Sequence, residues 1–444
     1  MTKTENGPSP TGTTRSTANI ELPTAERVRE TFGKFVIPSY SRFDLVLERG
    51  EGSYVWDTDG KCYLDLAGGI AVCSLGHAHP EIAQALAEQS RKLIHVSNLY
   101  YTEPQGRLAK RIVDLIAPGR VFFCNSGAEA NEGLFKLARK FGQDGGRSEI
   151  ITTTDSFHGR TLAGIAATGQ EKIKKGFDPA VEGFKHVPFN DLGAMERAIT
   201  RKTAAILVEP VQGESGITIA TPEYLIGLRK LCDERNLLLL FDEVQAGHFR
   251  TGKFQSWQRI LEAGDAPNGP RVSPSRTGTG NRPILPDGVS MAKSLGGGFP
   301  IGAFWVHEKF ADILSAGSHA STFGGTPLAC TVALKIFDVI ERENVAANAR
   351  QIGEFILGEL KELQQRYANV VKAVRGLGLM IGIEFQPRFK AVEIVKKLHE
   401  RKLLTVPAGT SVIRLLPALN LSRAQAKEGL QIIEQLIVDL ARQT

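Results

Sequence analysis

A chain of 444 residues in which 42% of the side chains are hydrophobic can bury a large core, which is typical of a globular protein with two domains or one enlarged domain. Its formal charge of +6 comes from 54 basic and 48 acidic residues spread along the sequence, unlike the concentrated basic face of a nucleic-acid-binding protein. The sequence has no run of about 18 apolar residues, so we expect no membrane partner and a cytoplasmic location.

The five cysteines are widely spaced, odd in number and include no CxxC pair. This pattern argues against a disulfide framework or a zinc ribbon, and it predicts reduced thiols in or near the core. His77 and His79 in GHAHP could belong to a metal site, but no third ligand is evident in the sequence. We therefore expect a turn that opens a helix at Glu81, and no metal.

The first part of the chain divides into an arm and a strand region. Residues 1–20 are rich in Thr, Ser, Gly, Pro and Asn, and this composition predicts a disordered arm. Residues 21–65 contain alternating side chains around Glu51-Gly52 and Asp59-Gly60, which predict antiparallel hairpin strands. We assign residues 21–65 to the N-terminal part of a small domain.

Residues 66–330 alternate between short apolar runs and segments with helical spacing. Buried strands are predicted at 120–125, 149–157, 204–210, 237–243 and 301–306. This alternation predicts an α/β fold in which a mostly parallel sheet is covered by helices on both faces. We therefore assign residues 66–330 to one large ligand-binding domain.

Residues 331–444 predict long amphipathic helices with two short strands, LMIGIEF and SVIRLLPAL, between them. We expect this segment to pack with the N-terminal strands as a smaller α+β domain. Residues 258–286 are rich in Gly, Pro, Ser and Arg and have little periodicity, so they predict a loop insertion, with a regulatory or contact role as the alternative.

Ligands of open parallel sheets bind at the carboxyl ends of the strands. After the first of these strands, Ser126, Gly127 and Ala128 open a helix, where N–H groups and a hydroxyl could hold a phosphate or serve only as a cap. After the second, Phe157 could stack on a planar ring and Arg160 could bind a carboxylate, although buried aromatic side chains are usually part of the core.

Two further strand ends carry more specific chemistry. Asp242 ends an apolar strand, where a carboxylate needs a metal, a ring cation or N–H donors, and no P-loop supports the metal. Lys293 precedes three glycines at 296–298, which suit a tight turn or a close approach to a ligand. A phosphate site, a stacking ring, a pyridinium partner and an imine-forming lysine are together the requirements of pyridoxal 5′-phosphate (PLP).

Six motifs occur in the order found in class III (subgroup II) aminotransferases of PLP fold type I: NSGAEANE, FHGRT, VEPVQGESG, FDEVQ, MAKSLGGGFPIGA and STFGGTPLAC. The chain resembles this family from about Val36 to its C-terminus, and it is most similar to the acetylornithine and ornithine aminotransferase branch. The resemblance implies a PLP-dependent transaminase whose smaller domain is built from the N- and C-terminal segments.

The resemblance also implies roles for single residues around the cofactor. Lys293 would form a Schiff base with it, and Asp242 would bond its pyridinium nitrogen. Phe157 and Val244 would lie against opposite faces of the ring, and Gln245 would lie near its phenolic oxygen.

Further contacts to the phosphate and the substrate follow from the same resemblance. Ser126, Gly127 and Ala128 would hold the phosphate. Thr322 would reach the phosphate from a neighbouring subunit, and Ser321 would lie close to the substrate. The resemblance therefore implies a homodimer with shared active sites.

For the substrates, the resemblance implies an ω-amino donor, 2-oxoglutarate as the acceptor and a ping-pong mechanism. Arg160 would bind an α-carboxylate, Arg414 would bind the α-carboxylate of the acceptor, and Glu214 would pair with Arg414 while the donor is bound. Ile70 stands where ornithine aminotransferases carry a tyrosine that handles the free α-amino group, which favours an acylated ornithine. Tyr40 would be a further substrate contact.

The sequence departs from the family in QAGHFRTG, which contains Ala246, His248 and Phe249, in GGTP, which contains Thr326, and in the insertion. N-acetylornithine is the expected donor, and ornithine, 4-aminobutyrate, succinylornithine and acyl-lysine remain alternatives. A racemase, an aminomutase or a decarboxylase of the same fold is a less favoured interpretation, and a non-catalytic binding protein is disfavoured because Lys293 and Asp242 are both present.

Overall fold

The computed structural model describes residues 24–264 and 284–443. The predicted N-terminal arm, residues 1–20, lies outside the described residues, as do residues 265–283 of the predicted insertion. The start of that insertion is helical, because Trp257 and Ile260 lie on one face of the helix Ser256–Gly264 and are buried in the core.

The described residues contain 17 strands. They are β1 (Leu47–Glu51), β2 (Tyr54–Asp57), β3 (Cys62–Asp65), β4 (Gly119–Cys124), β5 (Glu149–Thr153), β6 (Phe184–Val187), β7 (Thr203–Val208), β8 (Val211–Gln212), β9 (Thr218–Ile219), β10 (Leu238–Asp242), β11 (Gly288–Met291), β12 (Gly302–His307), β13 (Val371–Leu377), β14 (Met380–Phe385), β15 (Leu403–Leu404), β16 (Val406–Ala408) and β17 (Val412–Leu415).

The described residues also contain 14 α-helices. They are α1 (Ala25–Phe35), α2 (Gly68–Ala71), α3 (Pro80–Ser90), α4 (Glu103–Ile116), α5 (Gly127–Gly142), α6 (Leu162–Ala167), α7 (Glu171–Lys174), α8 (Leu192–Ala198), α9 (Pro222–Arg235), α10 (Ser256–Gly264), α11 (Pro327–Arg342), α12 (Val345–Arg366), α13 (Ala391–Glu400) and α14 (Arg423–Arg442).

The largest sheet has seven strands in the order β4-β12-β11-β10-β7-β5-β6. Strand β12 is antiparallel to both of its neighbours, and the other pairs are parallel. Successive side chains of β10 face opposite sides of the sheet: Leu239 packs with Leu225 of α9, whereas Leu240 packs with Leu134 of α5. The predicted α/β fold with helices on both faces of a mostly parallel sheet is confirmed.

Two smaller sheets contain the remaining long strands. The predicted hairpins form β1, β2 and β3, and β15 from the C-terminal part of the chain pairs with β3 through Leu403 and Leu64. The other sheet has the order β13-β14-β17-β16, in which β14 and β17 are the two strands predicted for this region. Strand pairing thus joins the N- and C-terminal parts of the chain, and the domain boundaries at 65 and 330 stay predictions.

Several short strands have no clear signal in the sequence. Strand β6, FKHV, lies at the edge of the large sheet and carries a lysine and a histidine, so it lacks a continuous apolar run. Strand β11, GVSM, is fully buried but contains a glycine and a serine in only four residues. Strand β11 matters for function because it ends two residues before Lys293.

In the part of the chain that the structure describes, no helix has the length and apolar character needed to cross a bilayer.

We expect Leu239→Ala to destabilise the protein by about 2–5 kcal/mol, because it removes a fully buried side chain from the central strand and leaves a cavity. The control Leu162→Ala removes the same atoms from a position that is 61% exposed, so it should cost less than about 0.5 kcal/mol. Urea unfolding monitored by circular dichroism would measure both, and equal midpoints for the two variants would contradict the central position of β10.

Candidate active site

The carboxyl ends of the central strands open into a cavity of about 390 Å³. It lies at the edge where a parallel sheet is expected to bind ligands. The residues that line it come from separate parts of the chain: Val72, residues 125–128, Asn131, residues 157–160, Glu209, Asp242, Val244, Gln245, Ala292, Lys293 and residues 298–301.

The N-terminus of α5 forms one wall of this cavity. Ser126 is the N-cap residue, and its Oγ accepts a hydrogen bond from the N–H of Glu129 at 3.2 Å. A Cβ on Gly127 would lie 2.6 Å from Cγ1 of Val244, so only glycine allows the helix to approach that side chain this closely. The free N–H groups of the first turn therefore face a space that suits an anionic group.

Asp242 is the central acid of the site and is only 4% exposed. Its Oδ2 lies 2.8 Å from Nδ1 of His158 and accepts a hydrogen bond from Nδ2 of Asn131 at 2.7 Å. Its Oδ1 accepts the N–H of Val244 at 3.0 Å. These contacts orient the carboxylate inside the cavity, where Lys293 also lies.

Sequence reasoning missed His158 and Asn131 as parts of this network. Asn131 also donates to the carbonyl oxygen of His158 at 3.0 Å, so α5 and the segment after β5 are joined behind Asp242. Both residues lie next to predicted site residues, Asn131 in NSGAEANE and His158 in FHGRT, and this proximity was the only signal in the sequence. Neither motif shows that the two side chains point towards Asp242.

Lys293 lies in the cavity with a backbone φ of 46°, immediately after β11. Burial lowers the pKa of its amine to about 8, and the nearby Glu214 carboxylate opposes this effect. A larger fraction of the amine is therefore neutral near pH 8 than for an exposed lysine. A neutral amine is the form that condenses with a carbonyl or accepts a proton.

Arg414 and Glu214 form the predicted pair beside the cavity. Nη1 of Arg414 lies 2.9 Å from Oε1 of Glu214 and 3.1 Å from Oε1 of Gln245. Arg414 is 1% exposed. Burial raises the pKa of Glu214, but the charge and hydrogen bond of Arg414 outweigh this and leave it below its usual value. Glu214 is therefore ionised at neutral pH.

A third acid, Glu209, was not identified from the sequence. It is 4% exposed, lines the cavity, and its Oε2 accepts the N–H of Phe157 at 3.0 Å. Burial, and then the negative charge of Asp242, raise the pKa of Glu209 well above its usual range. Glu209 thus fixes the backbone beside the predicted stacking residue.

The other predicted site residues fall into two groups. Phe157, Val244 and Arg160 line the cavity, and the guanidinium of Arg160 lies 5.6 Å from the centre of the Phe157 ring. Ser321 lies next to the N-terminus of α5, where its Oγ accepts from Nδ2 of Asn125 at 3.3 Å.

The second group does not line the cavity of the single chain. Thr322 is exposed, Ile70 is 42% exposed and Tyr40 is 74% exposed. Their assigned contacts to cofactor and substrate stay predictions. No cluster of three metal-ligating side chains occurs within residues 24–264 and 284–443.

The arrangement fits PLP on the evidence of these contacts. The α5 N-terminus, where no Cβ fits at Gly127, suits the phosphate. The Asp242 carboxylate, fixed by donors from His158 and Asn131, suits a protonated ring nitrogen. Lys293 supplies a partly buried amine whose pKa is lowered to about 8.

Comparison with known proteins identifies the class. The family model of class III aminotransferases matches residues 36–267 and 274–437, so the chain belongs to this family. It is a PLP-dependent aminotransferase with the type I fold of PLP enzymes.

Individual relatives and solved structures agree with this class. An acetylornithine aminotransferase of Gloeobacter violaceus is 45% identical over 417 residues, which are 93% of this chain and 98% of that protein. A succinylornithine transaminase of Yersinia pestis is 42% identical over 90% of this chain and 94% of that protein. The crystal structure of the ornithine aminotransferase from Toxoplasma gondii has a TM-score of 0.87 at 28% identity, covering 96% of this chain and 97% of that one.

We expect the rate at which the cofactor-free enzyme bonds PLP through Lys293 to rise with pH and level off above about pH 8, because the pKa of the amine is lowered to about 8 by burial. An exposed lysine would require a pH above about 10. Stopped-flow absorbance over a pH series would measure this, with Lys293→Ala as the control that shows no covalent phase. A rate that still rises steeply at about pH 10 would contradict the burial of the amine.

Proposed function

We propose that the enzyme transfers the terminal amino group of N-acetylornithine to 2-oxoglutarate by a ping-pong mechanism. The observation that carries this proposal is the ion pair between the buried Arg414 and Glu214, with Arg160 as a second guanidinium in the cavity wall. Two arginines and one carboxylate suit a site that receives an amino donor and a dicarboxylic acceptor in turn.

The pair provides a physical basis for accepting both substrates. While the donor is bound, Glu214 neutralises Arg414, so no unpaired buried cation remains beside the acyl-bearing substrate. A dicarboxylic acceptor brings its own carboxylate and replaces Glu214 as the partner of Arg414. Glu214 is able to move because its side chain is 30% exposed, whereas Arg414 is fixed by the carbonyls of Gly213 and Pro407.

Lys293 and Asp242 have different roles at the reacting centre: Lys293 transfers a proton, and Asp242 interacts with the cofactor ring. When bound, PLP supplies an electron sink for the bonding electrons of the substrate carbon that loses its proton. The Lys293 amine, with a pKa of about 8, removes that proton and returns it as a general base and acid. Asp242 would hold the ring nitrogen of the bound cofactor, and the contacts with His158 and Asn131 keep its carboxyl group oriented.

Ile70 and the names of the relatives both favour an acylated ornithine as the amino donor. An acylated ornithine has no free α-amino group, and the apolar Ile70 offers no group that would bind one. The names of the relatives include both an acetylornithine and a succinylornithine enzyme, so the acyl group is the open choice. Free ornithine, 4-aminobutyrate and acyl-lysine are the other donors to compare.

We further propose a cytoplasmic homodimer in which Thr322 and Ser321 contribute to shared sites. This is supported by the exposure of Thr322, which lies outside the cavity of its own chain but only one residue from Ser321.

The deciding experiment for the function is a half-reaction titration of the holoenzyme. N-acetylornithine, succinylornithine, ornithine and 4-aminobutyrate are added separately while the cofactor absorption is followed, and 2-oxoglutarate is then added. We expect N-acetylornithine to convert the cofactor to its amine form at the lowest concentration, and 2-oxoglutarate to reverse the change. Conversion by none of the donors would overturn the proposal, and preference for another one would correct the donor.

We expect Arg414→Leu to raise the KM for 2-oxoglutarate by at least about tenfold, because a charge-assisted hydrogen bond is worth about 1.5–3 kcal/mol. The half-reaction with the donor should change much less, since the donor does not need Arg414. Arg120→Leu is the matched control, because Arg120 is an exposed arginine paired with Asp312 outside the cavity. Equal effects of Arg414→Leu on the two half-reactions would show that Arg414 does not discriminate between the substrates.

A further inference from the structure

Glu214 lies on a short turn that contacts the sheet formed by the C-terminal strands. Strands β8 and β9 pair in antiparallel fashion, so residues 213–217 form the turn between them, which we call the Glu214 loop. At the start of this loop, the carbonyl oxygen of Gly213 accepts a hydrogen bond from Nη1 of Arg414 at 3.3 Å. The position of the Glu214 carboxylate relative to Arg414 therefore depends on how the loop backbone is held.

Arg375, on β13, holds the other end of the Glu214 loop. Its Nε and Nη2 both donate to the carbonyl oxygen of Gly216, at 3.2 Å and 3.0 Å. Because a guanidinium is planar and rigid, two donors to one oxygen restrain both the position and the direction of that carbonyl. Gly216 is two residues from Glu214, so Arg375 restrains the backbone beside the acid and leaves the carboxylate free to pair with Arg414.

Arg375 is in turn held by an acid on the neighbouring strand. Its Nη1 donates to Oε2 of Glu384, on β14, at 2.6 Å, and Nζ of Lys372 donates to Oε1 of the same carboxylate at 2.7 Å. Burial raises the pKa of Glu384, but the hydrogen bonds and charges of Lys372 and Arg375 outweigh this and leave it below its usual value. Glu384 is therefore ionised at neutral pH, and it orients Arg375 towards the loop.

The backbone of the Glu214 loop has a conformation that needs support from its surroundings. Ile217 is fully buried and has a φ of 61°, which residues branched at Cβ rarely adopt. Such a conformation persists only where the surrounding structure holds it. The support comes from the sheet that carries Arg375, since a Cβ on Gly382 of β14 would lie 2.9 Å from the carbonyl oxygen of Gly216.

From these contacts we propose that Arg375 is a positioning residue that keeps Glu214 paired with Arg414, and so disfavours binding of 2-oxoglutarate before the amino group has been transferred. This inference rests on the proposed exchange of Glu214 for the carboxylate of the acceptor. The side chain of Glu214 leaves Arg414 by rotation, while the backbone that returns it stays in place. Without the restraint, Glu214 pairs with Arg414 for a smaller fraction of the time, and a dicarboxylate then competes better for Arg414.

The test measures the binding of 2-oxoglutarate to the holoenzyme by titration calorimetry, with no amino donor present. Arg375→Leu should lower the Kd for 2-oxoglutarate by about threefold or more, because the competing carboxylate is less well positioned. Arg388→Leu is the matched control and should leave the Kd unchanged, since this exposed arginine donates to the carbonyl oxygen of Asn369. A Kd of the Arg375→Leu enzyme equal to that of the unsubstituted enzyme would overturn the proposal.

A second substitution separates positioning of Glu214 from a general loss of structure. Glu214→Gln removes the competing charge, so it should lower the Kd for 2-oxoglutarate by about tenfold or more. In that background Arg375→Leu should have no further effect, because no competing carboxylate is left to position. An equal effect of Arg375→Leu in both backgrounds would contradict the positioning role.

The same measurements distinguish an error in this inference from an error in the proposed function. If Glu214→Gln leaves the Kd unchanged, the proposed exchange itself is wrong, and with it the role of Arg375. If Glu214→Gln lowers the Kd and Arg375→Leu does not, only the role of Arg375 is wrong.

Two milder variants provide the answer if Arg375→Leu does not fold. Arg375→Lys keeps a charge near Glu384 but loses the contact of two donors with Gly216. Glu384→Gln retains Arg375 and removes the charge that orients it. Both variants should lower the Kd for 2-oxoglutarate, and an unchanged Kd in both would refute the proposal.

Discussion

A carboxylate that is 4% exposed at the end of an apolar strand loses most of its hydration, and the surrounding structure has to replace it. Asp242 obtains its donors from α5, from the segment after β5 and from the turn after β10. These elements are far apart in the sequence, so they must pack closely behind one side chain. Gly133 lets α5 lie close against β12 of the large sheet, since a Cβ there would lie 2.2 Å from the ring of Phe304.

Neighbouring acids in the site have different roles because successive residues at a strand end point in opposite directions. Asp242 faces the cavity, whereas Glu243 accepts hydrogen bonds from Ser256 and Trp257 at the start of α10. Burial raises the pKa of Glu243 to about 7, so this acid is partly protonated at neutral pH. The cavity therefore contains Asp242 as an oriented acid, while Glu243 connects a helix to the sheet.

The sequence predicted those parts of the site that depend on a strand end or a specific motif. Asp242, Lys293 and the α5 N-terminus follow from strand ends, because parallel strands bring their carboxyl ends to one edge, whereas the pairing of Glu214 with Arg414 was implied by the motifs of the resembling family. His158 and Glu209 could not be found in this way. Their roles depend on which neighbour the folded chain brings to them, and this information is absent from local spacing.

Two strands and one helix of the fold were not predicted from the sequence because their stability depends on neighbouring elements. Strands β6 and β11 are stabilised by pairing within the large sheet, not by an apolar run of their own, so pattern analysis does not detect them. Residues 258–264 carry helical spacing for fewer than two turns before a segment rich in glycine and proline, and the composition of the longer segment obscured it.

The ion pair of Arg414 and Glu214 lies where two sheets meet. Arg414 belongs to β17 of the sheet formed by the C-terminal strands, whereas Lys293 follows β11 of the large sheet. The backbone beside this junction is closely packed, since a Cβ on Gly68 would lie 2.4 Å from the carbonyl oxygen of Leu416.

The charges of Glu214 and Arg414 both act on the pKa of Lys293. Glu214 raises the pKa of the lysine amine and Arg414 lowers it, so the closed pair exerts two opposing effects on a group whose pKa burial has already lowered to about 8. In the proposed exchange, a substrate carboxylate would replace Glu214, and the charge on that side of the amine would again be negative and again paired with Arg414. The proposed exchange of one carboxylate for another would therefore allow the acceptor to enter while the charge that surrounds the reacting lysine stays nearly constant.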